Sequence, residues 1–252
     1  MLHKTFFLLG LIICSQTIIG QTKPLTDKQK KKFYPQKDIV SQYHNDWTQK
    51  HYKQRMATFE KEPLEMGDIV FIGNSITEKI KNWDEKFNKP HLRNRGIAGD
   101  LTDGVLKRLN EIVYFKPKAV FIMIGINDLF NIHYKEDNGK LKYFKIIPSV
   151  TCVGQNILKI AKRIHRRSPA TQIYVRTVLP SRRDFLKQDI KILNEIIKKN
   201  KNKGFYKVLD FYSQFADSNG DLPKEFTVDG VHLSDKGYEK WINFEKPIID
   251  SL

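Results

Sequence analysis

The sequence is poor in cysteine, and this scarcity limits how the fold can be held together. Only Cys14 and Cys152 occur among the 252 residues. Cys14 lies in an N-terminal apolar segment that we expect to be removed, which leaves Cys152 as an inert, unpaired residue. An internal disulfide is therefore excluded, and the domain must be stabilised by its hydrophobic core. No spacing of Cys or His residues indicates a zinc site, so no metal is expected.

Long apolar runs are also scarce, and the one that stands out is at the N-terminus. A short basic start precedes a continuous apolar run at residues 5–14, and polar sequence begins at Gln21. Such a run is too short to span a bilayer comfortably and is typical of a secretory signal peptide. We therefore expect residues 1–20 to be cleaved and the protein to be secreted or periplasmic, without stable membrane insertion. An uncleaved anchor is the alternative. A lipoprotein attached through Cys14 is disfavoured by the bulky isoleucine before it.

Acidic residues are outnumbered by basic ones. The chain has 44 Lys and Arg residues against 28 Asp and Glu residues, a formal net charge of +16. A basic excess can indicate a nucleic-acid-binding protein. Here the lysines are spread over predicted helix faces, and a secreted chain is not placed beside nucleic acid, so no nucleic-acid partner is expected. The charge suits an anionic cell envelope or acidic glycans instead.

From residue 68 onward, short apolar runs alternate with longer amphipathic stretches. We predict strands in the segments DIVFIG, LRNRGI, AVFIMIG, QIYVRTVL and YKVLDF. Helices are predicted near residues 76–87, 103–115, 149–167, 185–201 and 234–245. Continuous apolar strands that alternate with helices indicate a parallel sheet covered by helices on both faces. Before this region, residues 39–62 are predicted to be helical, and residues 23–38 to be a basic surface linker.

Polar clusters follow the predicted strands. They are Gly73-Asn74-Ser75, NRGIAGD at residues 94–100, GIND at 125–128, and DGVH at 229–232 before the last helix. In open parallel sheets, ligands bind beyond the carboxyl ends of the strands. We therefore expect the four clusters, which are far apart in the sequence, to meet on one rim of the sheet.

These clusters contain the parts of an acyl-transfer site. A serine hydroxyl such as that of Ser75 becomes a nucleophile when a base removes its proton. His232 can be that base, and Asp229, three residues earlier, can fix its tautomer. The backbone N–H groups of Ser75 and Gly99 and the side-chain amide of Asn127 can stabilise the oxyanion that develops.

Each of these residues also has a simpler explanation. Ser75 could cap the helix that follows it, and Gly99 could serve a turn. Asn127 could be an ordinary loop residue, and His232 is one of seven histidines. Taken singly, these explanations are stronger. Taken together they are weak, because four separate loops each supply the required residue type at a strand end.

The four clusters, with their flanking residues, resemble the four sequence blocks of the SGNH/GDSL hydrolase superfamily over about residues 68–245. The segments are FIGNSITE, NRGIAGDLTDGVLKRL, IMIGINDL and VDGVHLSDKGY. The details are similar to the platelet-activating-factor acetylhydrolase-like branch and to secreted acylhydrolases of Bacteroidetes-type bacteria. The resemblance implies a flavodoxin-like three-layer α/β/α sandwich with a central parallel sheet of about five strands. It also implies a Ser75–His232–Asp229 triad, an oxyanion hole at Ser75, Gly99 and Asn127, and no cofactor.

One departure from the family's pattern lies beside the nucleophile. The first block usually reads Gly-Asp-Ser, whereas Asn74 stands in the middle position here. Asparagine is nearly isosteric with aspartate and keeps one carbonyl oxygen, so we interpret the change as tuning. Thr77 replaces the second glycine of a Gly-x-Ser-x-Gly elbow, which argues against the α/β-hydrolase fold.

We therefore expect residues 1–20 to be a signal peptide, residues 21–62 a linker and helix, and residues 63–252 the hydrolase domain. The predicted activity is a secreted serine esterase that removes short acyl groups, above all acetyl, from carbohydrate. No long apolar lid, as a fatty chain would need, follows the first or third strand. A lysophospholipase or thioesterase is the alternative enzyme, and a glycan-binding protein without catalysis is the alternative class. The oligomeric state is left open.

Four further residues are candidates for substrate binding: Asn74, Asp128, Arg182 and Arg183. The two arginines follow the strand that ends near residue 179, so they are expected on the same rim as the serine. Arginine can bind a carboxylate through two parallel hydrogen bonds, which would suit an acidic sugar. A solvated loop is the simpler explanation for this pair.

Overall fold

The computed structural model describes residues 25–34, 41–134 and 143–252. The predicted signal peptide lies outside these ranges. Five strands form one sheet: β1 (Ile69–Gly73), β2 (Leu92–Gly96), β3 (Ala119–Met123), β4 (Gln172–Arg176) and β5 (Lys207–Leu209). All neighbouring strands are parallel, and their order across the sheet is β2-β1-β3-β4-β5.

The helices precede, separate and follow the strands. They are α1 (Asp27–Phe33), α2 (Asp46–Lys61), α3 (Ser75–Glu78), α4 (Trp83–Phe87), α5 (Thr102–Lys107), α6 (Asn110–Phe115), α7 (Ile126–Ile132), α8 (Val150–Arg167), α9 (Lys187–Asn200), α10 (Phe211–Phe215) and α11 (Asp235–Asp250). None of those in the described ranges has the length and apolarity required to cross a membrane.

Two hydrophobic layers lie on opposite faces of the sheet. Within β1, Val70 and Ile72 belong to one layer and Ile69 and Phe71 to the other, because successive side chains of a strand point to opposite faces. The first layer packs mainly against α2, α5, α6, α8 and α9, and the second against α4, α10 and α11. The predicted three-layer α/β/α sandwich with five parallel strands is confirmed.

A buried ion pair ties the end of β4 to α11. The Arg176 guanidinium donates two hydrogen bonds of 2.7 Å to the Glu245 carboxylate, and both side chains are fully buried. Trp241 donates a further bond of 2.8 Å to the same carboxylate, and the guanidinium lies over the ring of Phe71. Removing one partner would leave an uncompensated buried charge, at a cost of about 3–5 kcal/mol. This pair therefore helps to hold α11, which follows the DGVH segment, against the sheet.

The surface-linker prediction is wrong for residues 25–34. This segment contains α1, whose N-cap Thr26 forms a capping box with Gln29. Phe33 and Tyr34 are buried, and the Tyr34 hydroxyl donates a hydrogen bond of 2.6 Å to Glu111. The many lysines of this segment obscured two aromatic side chains that reach the core.

Several predicted helix boundaries also differ from the structure. The helix predicted from residue 39 begins at Asp46, because Asn45 caps it. The helices predicted at 76–87 and 103–115 are each divided into two short ones, and α11 continues to Asp250. The short helices α7 and α10 were not predicted.

Candidate active site

The polar clusters meet at the carboxyl ends of β1, β2 and β3. Ser75 follows β1 as the first residue of α3, and Asn127 follows β3 as the second residue of α7. Gly99 lies in the loop after β2, and the loop before α11 carries Asp229 and His232. Chain segments that are about 150 residues apart therefore face one another, as the parallel sheet predicts.

Ser75, His232 and Asp229 form a continuous chain of hydrogen bonds. Ser75 Oγ lies 2.8 Å from His232 Nε2, and His232 Nδ1 lies 2.6 Å from Asp229 Oδ2. The His232 side chain is 35% exposed and that of Asp229 is 45% exposed, so a substrate can reach the chain from solvent. A hydroxyl, an imidazole and a carboxylate in this order can generate a serine nucleophile.

The loop that carries Asp229 is stabilised from within. Asp229 Oδ1 accepts hydrogen bonds from the backbone N–H groups of Val231 (2.9 Å) and His232 (2.8 Å). Thr227 Oγ1 donates to the His232 carbonyl (2.7 Å) and accepts from the Gly230 N–H (2.8 Å). Partial burial opposes ionisation of Asp229, but the hydrogen bonds from His232 and Val231 outweigh it and lower the pKa to about 2. Asp229 is therefore a carboxylate at neutral pH.

Asn74, and not Ser75, caps the helix after β1. Asn74 Oδ1 accepts a hydrogen bond of 3.1 Å from the Ile76 N–H, and Asn74 is almost fully buried. The capping explanation for Ser75 is thus contradicted. The strand-to-helix turn is tight, since a Cβ at Gly73 would lie 2.3 Å from Thr77 Oγ1. Asparagine in place of the usual aspartate keeps the cap without a buried charge.

Asn127 contacts the loop that carries Gly99, through the residue that follows this glycine. Gly99 has a φ of +77°, and a Cβ there would lie 2.3 Å from Thr48 Cγ2, so the position requires glycine. Asn127 Nδ2 donates a hydrogen bond of 3.0 Å to the Asp100 carbonyl. This bond uses one of the two amide hydrogens and orients the side chain, which leaves the second hydrogen for a ligand.

A buried ion pair that the sequence analysis missed supports the Gly99 loop. Arg108 Nη2 lies 2.9 Å from Asp100 Oδ2, and both side chains are nearly inaccessible to solvent. The same guanidinium donates to the carbonyls of Arg95 (2.6 Å) and Gly73 (3.1 Å). It therefore connects the loop after β2 to the end of β1. The only sequence signal was a charged pair placed one and nine residues after Gly99.

The structure contradicts substrate binding by Asp128. Its side chain is fully buried, and its carboxylate accepts hydrogen bonds from the Thr102 hydroxyl (2.6 Å) and N–H (3.1 Å). Burial outweighs these hydrogen bonds and raises the pKa of Asp128 to about 7. Asp128 thus joins the start of α5 to α7 and does not face a substrate.

Arg182 and Arg183 lie near the expected rim, and both donate hydrogen bonds to backbone carbonyls of this chain. The Arg182 guanidinium donates to the Leu222 carbonyl (3.2 Å), and the Arg182 backbone N–H donates to Gly230 (2.8 Å). Arg183 Nη2 donates to the Asp229 carbonyl (3.1 Å). Both residues therefore brace the loop that holds Asp229. A role in binding an acidic sugar stays a prediction.

A small apolar pocket adjoins this site on the side of β3 and β4. It has an empty volume of about 290 Å³, including its open mouth. Its lining residues flank Ser75, flank His232, or lie at or after the ends of β3 and β4: Asn74, Ile76, Met123, Ile124, Ile126, Val178, Leu179, Pro180, Ser181 and Val231. Of this, about 10 Å³ can be occupied by a water molecule, so the enclosed part of the pocket is about the size of one water.

Within the described ranges, one group of side chains has the spacing of metal ligands. Potential ligand atoms of Glu65, Asp68 and His91 lie within 4.8 Å of one another. The group lies near the amino ends of β1 and β2, at the edge of the sheet opposite Ser75. Arg93 Nε already lies 3.0 Å from Asp68 Oδ2 and supplies positive charge there. This group is therefore separate from the candidate active site.

The fold and the site define a class of protein, an ester hydrolase on a flavodoxin-like α/β/α sandwich. The GDSL-like Lipase/Acylhydrolase family matches residues 71–240, and the chain belongs to this family. The predicted membership of the SGNH/GDSL superfamily and the predicted ester hydrolase activity are thus confirmed.

Several known proteins are similar to this chain. The platelet-activating factor acetylhydrolase IB subunit alpha2 of Homo sapiens is 28% identical over 202 residues, which cover 77% of this chain and 79% of that protein. A GDSL-like lipase from Bacteroides thetaiotaomicron superposes with a TM-score of 0.62 at 23% identity, over 79% of this chain and 97% of that chain. A mutant of the acetyl-xylooligosaccharide esterase Axe2 from Geobacillus Stearmophilus has a TM-score of 0.56 at 17% identity, over 74% and 96% of the two chains.

Proposed function

We propose that this protein is a secreted serine esterase that removes acetyl groups from carbohydrate through Ser75, His232 and Asp229. The observation that carries the proposal is the hydrogen-bonded chain of 2.8 Å and 2.6 Å between these three side chains. Secretion rests on the apolar segment at residues 5–14. Residues 63–252 would carry the chemistry, while α1 and α2 complete the hydrophobic layer on one face of the sheet.

The proposed reaction has two stages. Ser75 Oγ attacks the ester carbonyl while His232 Nε2 accepts its proton, and Asp229 keeps the imidazole in the required tautomer. The tetrahedral intermediate expels the alcohol, which takes the proton from His232, and an acetyl-Ser75 enzyme remains. A water molecule then attacks the acyl carbon as His232 again accepts a proton. The second tetrahedral intermediate expels Ser75 Oγ, which takes the proton from His232, and acetic acid leaves and releases its own proton to solvent.

The oxyanion of each tetrahedral intermediate requires donors fixed in advance. Backbone N–H groups of Ser75 and Gly99 and the Asn127 amide are assigned this role. Positive φ at Gly99 and the bond from Asn127 to the Asp100 carbonyl set the orientation of two of these groups before substrate binds. Fixed donors are effective because they require no reorganisation as charge develops.

Replacing Asn127 by alanine is expected to lower kcat about 10²–10³-fold, because one oxyanion donor is lost while the nucleophile is retained. KM should change little, since the donor acts mainly on the transition state. Steady-state kinetics on p-nitrophenyl acetate would measure both constants. Thr58→Ala, which removes a partly buried hydroxyl that donates to the Gln54 carbonyl of its own helix, is a control for the substitution. A rise in KM alone would make Asn127 a substrate contact and refute its assignment to the oxyanion hole.

The size of the pocket favours a short acyl group. The space in the pocket that a water molecule can occupy is only about 10 Å³, which leaves little room for a fatty chain, and such a chain gains about 0.8 kcal/mol for each methylene it buries. Two of the similar proteins, a platelet-activating factor acetylhydrolase and an acetyl-xylooligosaccharide esterase, are named for acetyl groups. A secreted enzyme would meet acetylated glycans, and the net charge of +16 suits an acidic polymer.

Activity on p-nitrophenyl esters is expected to be highest for acetate and to fall as the acyl chain lengthens from two to eight carbons. The physical reason is the limited apolar volume beside Ser75. Measuring kcat/KM for the series, and acetate release from acetylated xylan, would test the acyl and the alcohol preference separately. A profile that rises with chain length would instead indicate a lysophospholipase or thioesterase.

A further inference from the structure

An exposed tryptophan lies beside the candidate active site. Trp47 is in the first turn of α2 and is 50% exposed, whereas Trp83 and Trp241 are 1% and 0% exposed. It precedes residues 71–240, the span matched by the family. A single exposed apolar side chain is common on protein surfaces, so it is the position and the fixed orientation of Trp47 that carry the inference.

The indole is held in a fixed orientation. The ring of Trp47 stacks on that of His51, with centroids 5.1 Å apart and planes inclined by 10°. His51 Nε2 in turn lies 2.9 Å from a carboxylate oxygen of Glu78, three residues after Ser75. The turn that carries Trp47 is itself fixed by reciprocal hydrogen bonds of 2.9 Å between Asn45 and Thr48. A preorganised ring loses little conformational freedom when it binds a ligand.

The indole also lies close to Gly99, one of the residues assigned to the oxyanion hole. A Cβ built on Gly99 would lie 3.3 Å from Trp47 Cζ3. Glu78, which holds His51, also accepts a hydrogen bond from the Ala98 N–H. Trp47 is therefore connected to the loop after β2 through its stacking on His51 and the contacts of Glu78 with His51 and Ala98.

The order of the strands separates the two sides of the site. The apolar pocket is lined by residues that follow β3 and β4, while Trp47 packs on the loop after β2. Ser75 follows β1, which lies between β2 and β3 in the sheet. An ester carbon at Ser75 thus has the pocket on one side for its acyl group and the indole on the other for its alcohol.

We propose that Trp47 is the surface on which the sugar ring of an acetylated carbohydrate stacks. This inference rests on the proposed function, and it assigns the alcohol side of the substrate. One face of the indole is against His51, and half of the side chain is accessible to solvent. The face of an aromatic ring carries partial negative charge and attracts the weakly positive C–H bonds on one face of a pyranose. A quaternary ammonium group could use the same face, but a chain of net charge +16 repels cations.

The test compares esters that share an acetyl group and differ in the alcohol. For Trp47→Ala, kcat/KM on glucose pentaacetate and acetylated xylo-oligosaccharides should fall about tenfold or more, mainly through KM, which corresponds to about 1.4 kcal/mol. The loss on ethyl acetate should be at least fivefold smaller, because that alcohol has no ring to stack. Trp47→Phe should restore much of the loss. Met66→Ala, which removes a 68% exposed apolar side chain before β1, is the matched control and should leave both activities unchanged.

A binding measurement gives an independent result. Because the other two tryptophans are buried, iodide should quench mainly Trp47 fluorescence. Deacetylated xylo-oligosaccharides should protect wild-type protein from this quenching. Trp47→Phe, which lacks the exposed tryptophan, should show little quenching by iodide with or without the sugar.

Three results would overturn the inference. Equal losses on sugar acetates and ethyl acetate would show that Trp47 only supports the Gly99 loop. Unchanged kinetics together with no protection from iodide would leave the indole without a role in binding. Acetylcholine serves as a further acetyl ester, one with a cationic alcohol. If Trp47→Ala lowered kcat/KM only on acetylcholine, the indole would bind a cationic alcohol and not a sugar. If wild-type protein hydrolysed none of these esters, the proposed function itself would fail, and that outcome is distinct from the other three.

Discussion

Replacing Ser75 by alanine is expected to lower kcat about 10⁴–10⁶-fold, as the loss of a nucleophile that acts as one unit with its base does elsewhere. The substitution removes one oxygen, whose hydrogen bond of 2.8 Å to His232 is at the partly exposed surface of the site. Asn74 caps α3, so the helix does not depend on the serine side chain. The thermal midpoint should therefore stay close to that of the wild type while turnover disappears.

Kinetics and covalent labelling would check this expectation together. A fluorophosphonate should react with the wild type to form one bond between phosphorus and Ser75 Oγ, with release of fluoride, and peptide mass analysis would locate it. Ser75→Ala should take up no label. Ser251→Ala, which removes a hydroxyl from the exposed end of α11, should keep both activity and labelling. Near-normal turnover by Ser75→Ala would refute the proposed mechanism.

Loss of the base should be comparably severe. His232→Ala is expected to reduce kcat about 10⁴–10⁶-fold, because the Ser75 hydroxyl then has no acceptor for its proton. Asp229→Asn is expected to cost up to about 10⁴-fold, since an amide beside Nδ1 favours the wrong imidazole tautomer. The pKa of about 2 keeps Asp229 ionised at every pH above about 3, so this second loss should persist across the neutral range.

The chain offers a matched control for the His–Asp pair. His133 Nε2 lies 2.7 Å from Asp189 Oδ2, a contact nearly as short as the 2.6 Å between His232 and Asp229. His133→Ala should retain most of the turnover on p-nitrophenyl acetate, and its rate of fluorophosphonate labelling should match the wild type. His232→Ala should label far more slowly. Equal effects of the two histidine substitutions would mean that His232 has no special relation to Ser75.

Local sequence patterns were sufficient to predict the sheet and the candidate site. The central strands β1 and β3 are short, continuous apolar runs, and apolar runs of this length, separated by amphipathic stretches, form a buried parallel sheet. Three of the polar clusters lie at or just after the ends of strands and the fourth lies in the loop before the last helix, and parallel strands all end at the same edge. For this reason Ser75, Asn127 and His232 could be assigned to one rim before any contact was known. The residue types themselves indicated the chemistry, because a hydroxyl, an imidazole and an amide have few other combined uses.

Contacts between distant segments decided what those patterns could not. The sequence made Asp128 a candidate for substrate binding. In the structure α5 lies beside α7, and the buried Asp128 carboxylate accepts a hydrogen bond from the Thr102 hydroxyl. Arg182 and Arg183 were candidates for binding a substrate, but in the structure both donate hydrogen bonds to backbone carbonyls.

The basic N-terminal region has little apolar periodicity, so only the tertiary structure revealed that Phe33 enters the core. The same holds for Trp47, which is 52 residues from Gly99 in the sequence and meets it only because α2 packs beside the loop after β2. Such positions depend on which elements pack together, and no local preference of the chain encodes that choice.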